Sequence, residues 1–237
     1  EEHRELVSKT QILSGVAASE EFELFETMAW SANDGPSNLV LHFTRIARSA
    51  KYFGMHFDPD RARAAIARAT ATCRHASAAK RFRLRLSLAG DGAHIAILQP
   101  FPSQTDGTQP VAVAPSPVSS QDPTLAHKTN QRQVYKLARE EVTIACGEGV
   151  EPLLVNERGE ITETDIANVV YQFDGQTYTP PTRCGLLPGV LRESLLESGE
   201  LQERVLLAED LEGVESLYLI NDLRGWRRAQ LLSVKTA

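Results

Sequence analysis

His127-Lys128-Thr129-Asn130, then Ile161-Thr162-Glu163-Thr164-Asp165-Ile166-Ala167-Asn168, then Gly185-Leu186-Leu187-Pro188-Gly189-Val190-Leu191-Arg192 form the stretch whose reading decides this chain. It supplies a lysine, a carboxylate 35 positions later and a helix start bounded by glycine. A lysine amine can condense with an aldehyde. A carboxylate can keep a ring nitrogen protonated, and the open N–H groups of a helix start suit a phosphate. These parts describe a seat for pyridoxal phosphate with Lys128 at its reactive centre.

Taken singly, each residue has an ordinary reading as well. A lysine between an irregular segment and a helix is usually solvated. Glu160, Glu163 and Asp165 cluster beside a Gly turn. If the segment is a strand, Glu163 and Asp165 share a face, so parity does not choose between them. A helix entry after Pro188 is common without any ligand. Arg45 or Arg48, on one predicted helix, could reach a phosphate bidentately, or both could face water.

Bulk properties narrow the classes. Across 237 residues, 25 basic and 31 acidic side chains give a net charge of −6, which disfavours a nucleic-acid binder. A hydrophobic share of 42% supports a substantial core. The three cysteines, Cys73, Cys146 and Cys184, lack metal-like spacing and cannot all pair, which points to a reducing cytoplasm. The histidines are scattered singly, so no metal site is expected, and no apolar run reaches the roughly 20 residues of a membrane span. P-loop, His-Glu-x-x-His and Gly-x-Ser-x-Gly motifs are absent.

The patterning predicts a mixed α/β chain. Residues 1–20 read as an arm or linker remnant, 21–105 as a small N-terminal α/β lobe and 106–237 as a larger cofactor-binding lobe. A strand is expected over 23–30, a turn at Asn33-Asp34-Gly35-Pro36 and a returning strand over 38–41. Helices follow over 42–53 and 59–70, where apolar positions recur at helical spacing. Strands over 81–88 and 94–99 flank Asp91-Gly92 as a hairpin. The proline-rich 100–110 reads as a linker or surface loop. Beyond it come a strand over 111–114, a helix over 130–141, strands over 152–156 and 168–173, a helix over 190–197 and a last strand near 216–220.

With these residues assembled, the chain resembles the class IV aminotransferase family, over about residues 22–230. The ordered pieces are Lys128-Thr129-Asn130, Gly159-Glu160-Ile161-Thr162-Glu163, Ala167-Asn168, Thr179-Pro180 and Gly185 to Arg192. Within it, Phe22 to Met28, Arg48 to Gly54 and Asn221-Asp222-Leu223-Arg224-Gly225-Trp226 look most like the 4-amino-4-deoxychorismate lyases, in particular the lyase domain fused to para-aminobenzoate synthase component I.

The resemblance implies a two-domain D-amino-acid aminotransferase-like fold, pyridoxal 5'-phosphate as cofactor, and release of para-aminobenzoate and pyruvate from aminodeoxychorismate in folate synthesis. It implies Lys128 as the Schiff-base lysine and Glu163, rather than Asp165, as the carboxylate on the ring nitrogen. Arg45 and the backbones of Val190 and Leu191 match the phosphate site. Asn168, Asn221 and Asp222 fall among the cofactor contacts, and Thr27 and Leu223 near the substrate. The usual carboxylate arginine is replaced here by Ala89-Gly90-Asp91-Gly92; Arg85 and Arg224 stand as its substitutes. A homodimer is implied, free-standing or joined to para-aminobenzoate synthase component I, with no nucleic-acid or membrane partner. Two alternatives stay open: a transaminase for a D-amino or branched-chain amino acid, and a non-catalytic domain that kept the fold.

Overall fold

The computed structural model describes residues 22–73, 81–101 and 107–232. The expected arm over 1–20 and the middle of the proline-rich stretch lie outside the described residues. Among the described residues two compact units form, one running to Phe101 and including Lys128–Gln131, the other holding the rest.

In the first unit, strands β1 (Glu23–Ser31), β2 (Gly35–Pro36), β3 (Phe82–Ala89) and β4 (His94–Pro100) make an antiparallel sheet in the order β2-β1-β3-β4. Helices α1 (Leu39–Tyr52) and α2 (Pro59–Thr70) belong to the same unit. Period-2 alternation divides β1 and β3 between two faces. Met28, Trp30, Phe82, Leu84 and Leu86 pack with Phe43, Ala62 and Ile66 of the helices. Leu24 and Leu88 pack with Ile46 and Ala50. The alternate positions, Phe25, Thr27, Arg85 and Ser87, therefore face away from the helices.

The expected strand over 38–41 is instead the start of α1. Asn38 adopts a left-handed conformation (φ 44°) and turns the chain straight into the helix. Ser37 hydrogen-bonds back to Ala29, so the returning strand is only two residues long. The apolar run misled because Val40 is largely exposed. Helix α2 matches its expected limits, with Asp58 capping the N–H groups of Asp60 and Arg61 and Pro59 at the first helical position.

The second unit is built on an eight-stranded sheet. Its strands are β5 (Gln109–Val113), β6 (Glu151–Val155), β7 (Ile161–Thr164), β8 (Asn168–Phe173), β9 (Gln176–Thr179), β10 (Gln202–Glu203), β11 (Ser216–Asn221) and β12 (Gly225–Leu231). The order is β10-β9-β8-β11-β12-β5-β6-β7, and β7 also pairs with β8, so six strands close into a ring. Val111, Leu153, Ile161, Val169, Leu217 and Leu219 form one core. On the other side of β5 and β6, Ala112 and Leu154 pack against Tyr135, Ala138 and Val142 of helix α3 (Gln133–Cys146). Val170 and Ile220 meet Leu195 of helix α4 (Val190–Glu197).

Two boundaries differ instructively. Helix α3 begins at Gln133 rather than near Asn130, because the backbone N–H of Asn130 donates to the Glu23 carbonyl and its side chain accepts from the Glu23 N–H. Strand β12 was not among the strands expected from the sequence. Arg227 is buried there in a two-point ion pair with Glu151, Nη1 to Oε1 at 2.5 Å and Nη2 to Oε2 at 3.1 Å.

Candidate active site

In the first unit, Lys128 lies beside β1. Its carbonyl accepts from the Phe25 N–H at 3.0 Å, and Thr129 bridges to Leu24 in antiparallel fashion. The half-buried Lys128 side chain places Nζ 5.0 Å from the Phe25 ring centroid. Arg85 stacks over the same ring, its Cζ 3.7 Å from the centroid. Thr27 is the register partner of Arg85. A lysine amine, a hydroxyl and a guanidinium thus gather on the sheet face turned away from the helices. Arg85 is also engaged by Glu23 in an ion pair.

Glu26 takes the opposite side because its neighbours in β1 alternate. It is fully buried and meets α1, where Arg45 donates from Nε to Oε1 at 2.9 Å and from Nη2 to Oε2 at 2.5 Å. His42 Nδ1 lies 2.7 Å from Oε2. Burial drives the Glu26 carboxyl upward, yet the Arg45 charge and the hydrogen bonds from His42 and Arg45 outweigh it and hold the group down at about 2. Arg45, buried with Glu26, is thus set in a fixed orientation, whereas Arg48 points to solvent.

In the second unit the three neighbouring acids separate cleanly. Glu160 pairs with Arg158 at 2.6 Å and accepts from Asn156. Asp165 lies beyond the end of β7, gripped by Arg139 through Nε and Nη2. The expectation that Glu163 and Asp165 share a strand face therefore fails, since the strand stops at Thr164. Glu163 is buried in β7, and neutral donors converge on it: Tyr135 Oη at 2.7 Å and the Leu187 N–H at 3.1 Å on Oε1, and Asn168 Nδ2 at 3.3 Å on Oε2.

Asn168 ties this carboxylate to the start of α4. It is the register partner of Glu163, and its amide also donates to the Leu187 carbonyl at 2.8 Å. No side chain caps α4 at Gly189. A helix start lacking a side-chain cap leaves first-turn N–H groups for an anion. The Asn221–Arg224 turn adjoins this corner: Asn221 donates to the Ile166 carbonyl at 3.0 Å and accepts from the Arg224 N–H at 2.7 Å, with Leu223 buried. Asp222 and Arg224 are half-buried.

The donor set suits pyridoxal phosphate. Glu163 supplies a carboxylate held by neutral groups, and the α4 start supplies N–H groups beside a glycine, where a Cβ would fall 1.9 Å from Asn168 Oδ1. Separately, the first unit holds the Lys128 amine. Sequence reasoning missed Tyr135, His42 and the inward turn of Glu26. A tyrosine on the buried stripe Tyr135, Ala138, Val142 was the available signal, since a buried phenol seeks a partner. Cys146 and Cys184 are free thiols. No helix among the described residues is long and apolar enough to cross a membrane.

The chain is similar to several known proteins. A Schizosaccharomyces pombe protein named "Putative aminodeoxychorismate lyase" is 30% identical over 212 residues, 86% of this chain and 87% of that protein. A solved structure titled as a "Putative amino-acid aminotransferase" from Mesorhizobium loti is 38% identical, with a TM-score of 0.81 over 90% of this chain and 100% of that one. A Legionella pneumophila structure titled as a "Putative 4-amino-4-deoxychorismate lyase" shares the fold, with 23% identity and a TM-score of 0.76 over 89% of this chain and 83% of that one. The family model described as "Amino-transferase class IV" matches residues 23–232, and the chain belongs to the class IV aminotransferase family of pyridoxal phosphate enzymes.

Proposed function

We propose that this chain is a pyridoxal phosphate-dependent lyase that converts 4-amino-4-deoxychorismate to para-aminobenzoate and pyruvate. The observation that carries the reading is the grouping of Lys128, Thr27 and Arg85 around Phe25 on one sheet face. The Schizosaccharomyces pombe relative, named as a "Putative aminodeoxychorismate lyase", supports the same substrate.

In this reading Lys128 would bind the cofactor, Glu163 would hold its ring nitrogen, and Arg45, oriented by Glu26, would hold its phosphate together with the Val190 and Leu191 backbones. When bound, the cofactor supplies an electron sink for the charge left on the substrate carbon after proton removal. Once the substrate amine has displaced it from the cofactor, Lys128 would be placed to take that proton at Nζ. Thr27 offers its hydroxyl to the departing enolpyruvyl oxygen, and Arg85 meets a substrate carboxylate by exchanging it for Glu23. Loss of the enolpyruvyl group leaves an aromatic ring, which drives the reaction forward. Two chains form the working enzyme.

Incubating the cofactor-loaded protein with aminodeoxychorismate tests this directly. Equal amounts of para-aminobenzoate and pyruvate are expected, and their absence sinks the proposal. A transaminase is the second reading, favoured by the similarity to the Mesorhizobium loti "Putative amino-acid aminotransferase". Conversion of the bound cofactor to its amino form by an amino acid alone would select it.

A further inference from the structure

Glu163 receives a hydrogen bond that no assigned role explains. Tyr135 projects from α3, on the stripe that packs against β5 and β6, and its hydroxyl donates to Glu163 Oε1 at 2.7 Å. That contact spans 28 positions and is buried. It is the shortest of the three donations just described, and the only one from a side chain outside the β7–β8 corner and the approach to α4. We propose that Tyr135 is a positioning residue: its phenol holds the Glu163 carboxylate in place as an anion, so that the proton shared with the cofactor ring rests on the ring nitrogen. This deepens the reading above and rests on it.

The physical argument has three parts. A buried carboxylate is stabilised as an anion only when donors replace the water it lost. Tyr135 can supply one at every working pH, since burial first, and then the Glu163 charge, push its own ionisation well above 10. Arg132 lies over the Tyr135 ring, its Cζ 4.4 Å from the centroid, and a cation on that face polarises the O–H toward its acceptor. A carboxylate stabilised in this way competes less well for the shared proton. The arrangement thereby favours the protonated ring, the state that draws charge most strongly from the substrate.

The test uses the full chain loaded with pyridoxal phosphate carrying a ring ¹⁵N label. In the unaltered protein the ring-nitrogen resonance should lie at the protonated position. Tyr135→Phe, which keeps the ring and deletes the donor, should move it toward the unprotonated position and lower turnover about tenfold, as loss of a hydrogen bond to a charged acceptor predicts. Tyr135→Met is the second form should the phenylalanine variant fold poorly, with the same expectation. In the unaltered protein, the phenol carbon resonance of Tyr135 should also shift when the cofactor is added. Unmoved ring-nitrogen and phenol signals overturn the inference. Lys128→Ala and Glu163→Gln, run alongside, separate the two levels. If neither alters cofactor binding or turnover, the lyase reading itself fails; if both do while Tyr135→Phe matches the unaltered protein, only the role of Tyr135 falls.

Discussion

A Cβ at Gly189 would sit 1.9 Å from Oδ1 of Asn168, so these two residues can keep their places only while position 189 is glycine. The backbone of Gly189 is extended (φ −69°, ψ 141°), a conformation any residue adopts, and the requirement is therefore one of space rather than of backbone freedom. Asn168 cannot yield freely, because its amide bridges Glu163 and the Leu187 carbonyl.

Gly189→Ala should therefore loosen the corner that holds Glu163. We expect a destabilisation of about 1–3 kcal/mol, the usual range for overpacking, together with weaker cofactor binding. Thermal unfolding and a cofactor titration check it. An alanine variant that binds as tightly as the unaltered protein would show that Asn168 has room to move.

Glu163 and Asp165 should separate by role. Glu163→Gln keeps the shape and removes the charge, so turnover should fall by at least tenfold while the fold persists. Asp165→Asn breaks the grip of Arg139, a partly buried pair. It should cost about 1 kcal/mol of stability, near the upper end for partly exposed pairs, and leave cofactor affinity unchanged. Denaturant curves and steady-state kinetics on both variants decide it. Equal losses of turnover would argue against the assignment of Glu163.

Acid should act on the first unit through Glu26. Its carboxyl lies at about 2 against an ordinary 4.5, so its contribution to stability is present above pH 4.5 and is lost as the pH falls toward about 2. Glu160, also at about 2 because Arg158 donates to it, shares that window. Glu26→Gln should flatten part of the stability slope between pH 4.5 and 2. At neutral pH it should destabilise by about 3 kcal/mol or more, since Arg45 is left buried beside an uncharged partner. Guanidinium unfolding as a function of pH measures both effects.

Thr27→Val tests the substrate side. Thr27 is half-buried in the middle of β1, where valine suits a strand equally well. Stability should change little and turnover should fall about tenfold or more, because general acid–base assistance is typically worth at least that. Unchanged kinetics would remove Thr27 from the reaction.

Local periodicity made much of the fold legible. Helices α2 and α4 and strand β8 matched to the residue, because their apolar spacing, Pro59 and the flanking glycines all agree. What stayed hidden depended on partners distant in sequence. The start of α3 is set by Asn130 pairing with Glu23, 107 positions away. Strand β12 is recognisable only once Arg227 has found Glu151. At the candidate site, the order of Lys128, Glu163 and Gly189 along the chain was readable. The choice among Glu160, Glu163 and Asp165 came from the residues only through the resemblance. In the structure arginines pair with Glu160 and Asp165, and neutral donors hold Glu163.

In the proposed reading Lys128 carries both the cofactor and the reaction. Borohydride reduction of the loaded protein, followed by peptide mass spectrometry and residual-activity assay, tests it most directly. The account predicts a single phosphopyridoxyl label on Lys128, with lyase activity lost in proportion to labelling. A label on another lysine, or para-aminobenzoate formation that survives complete labelling of Lys128, would contradict it.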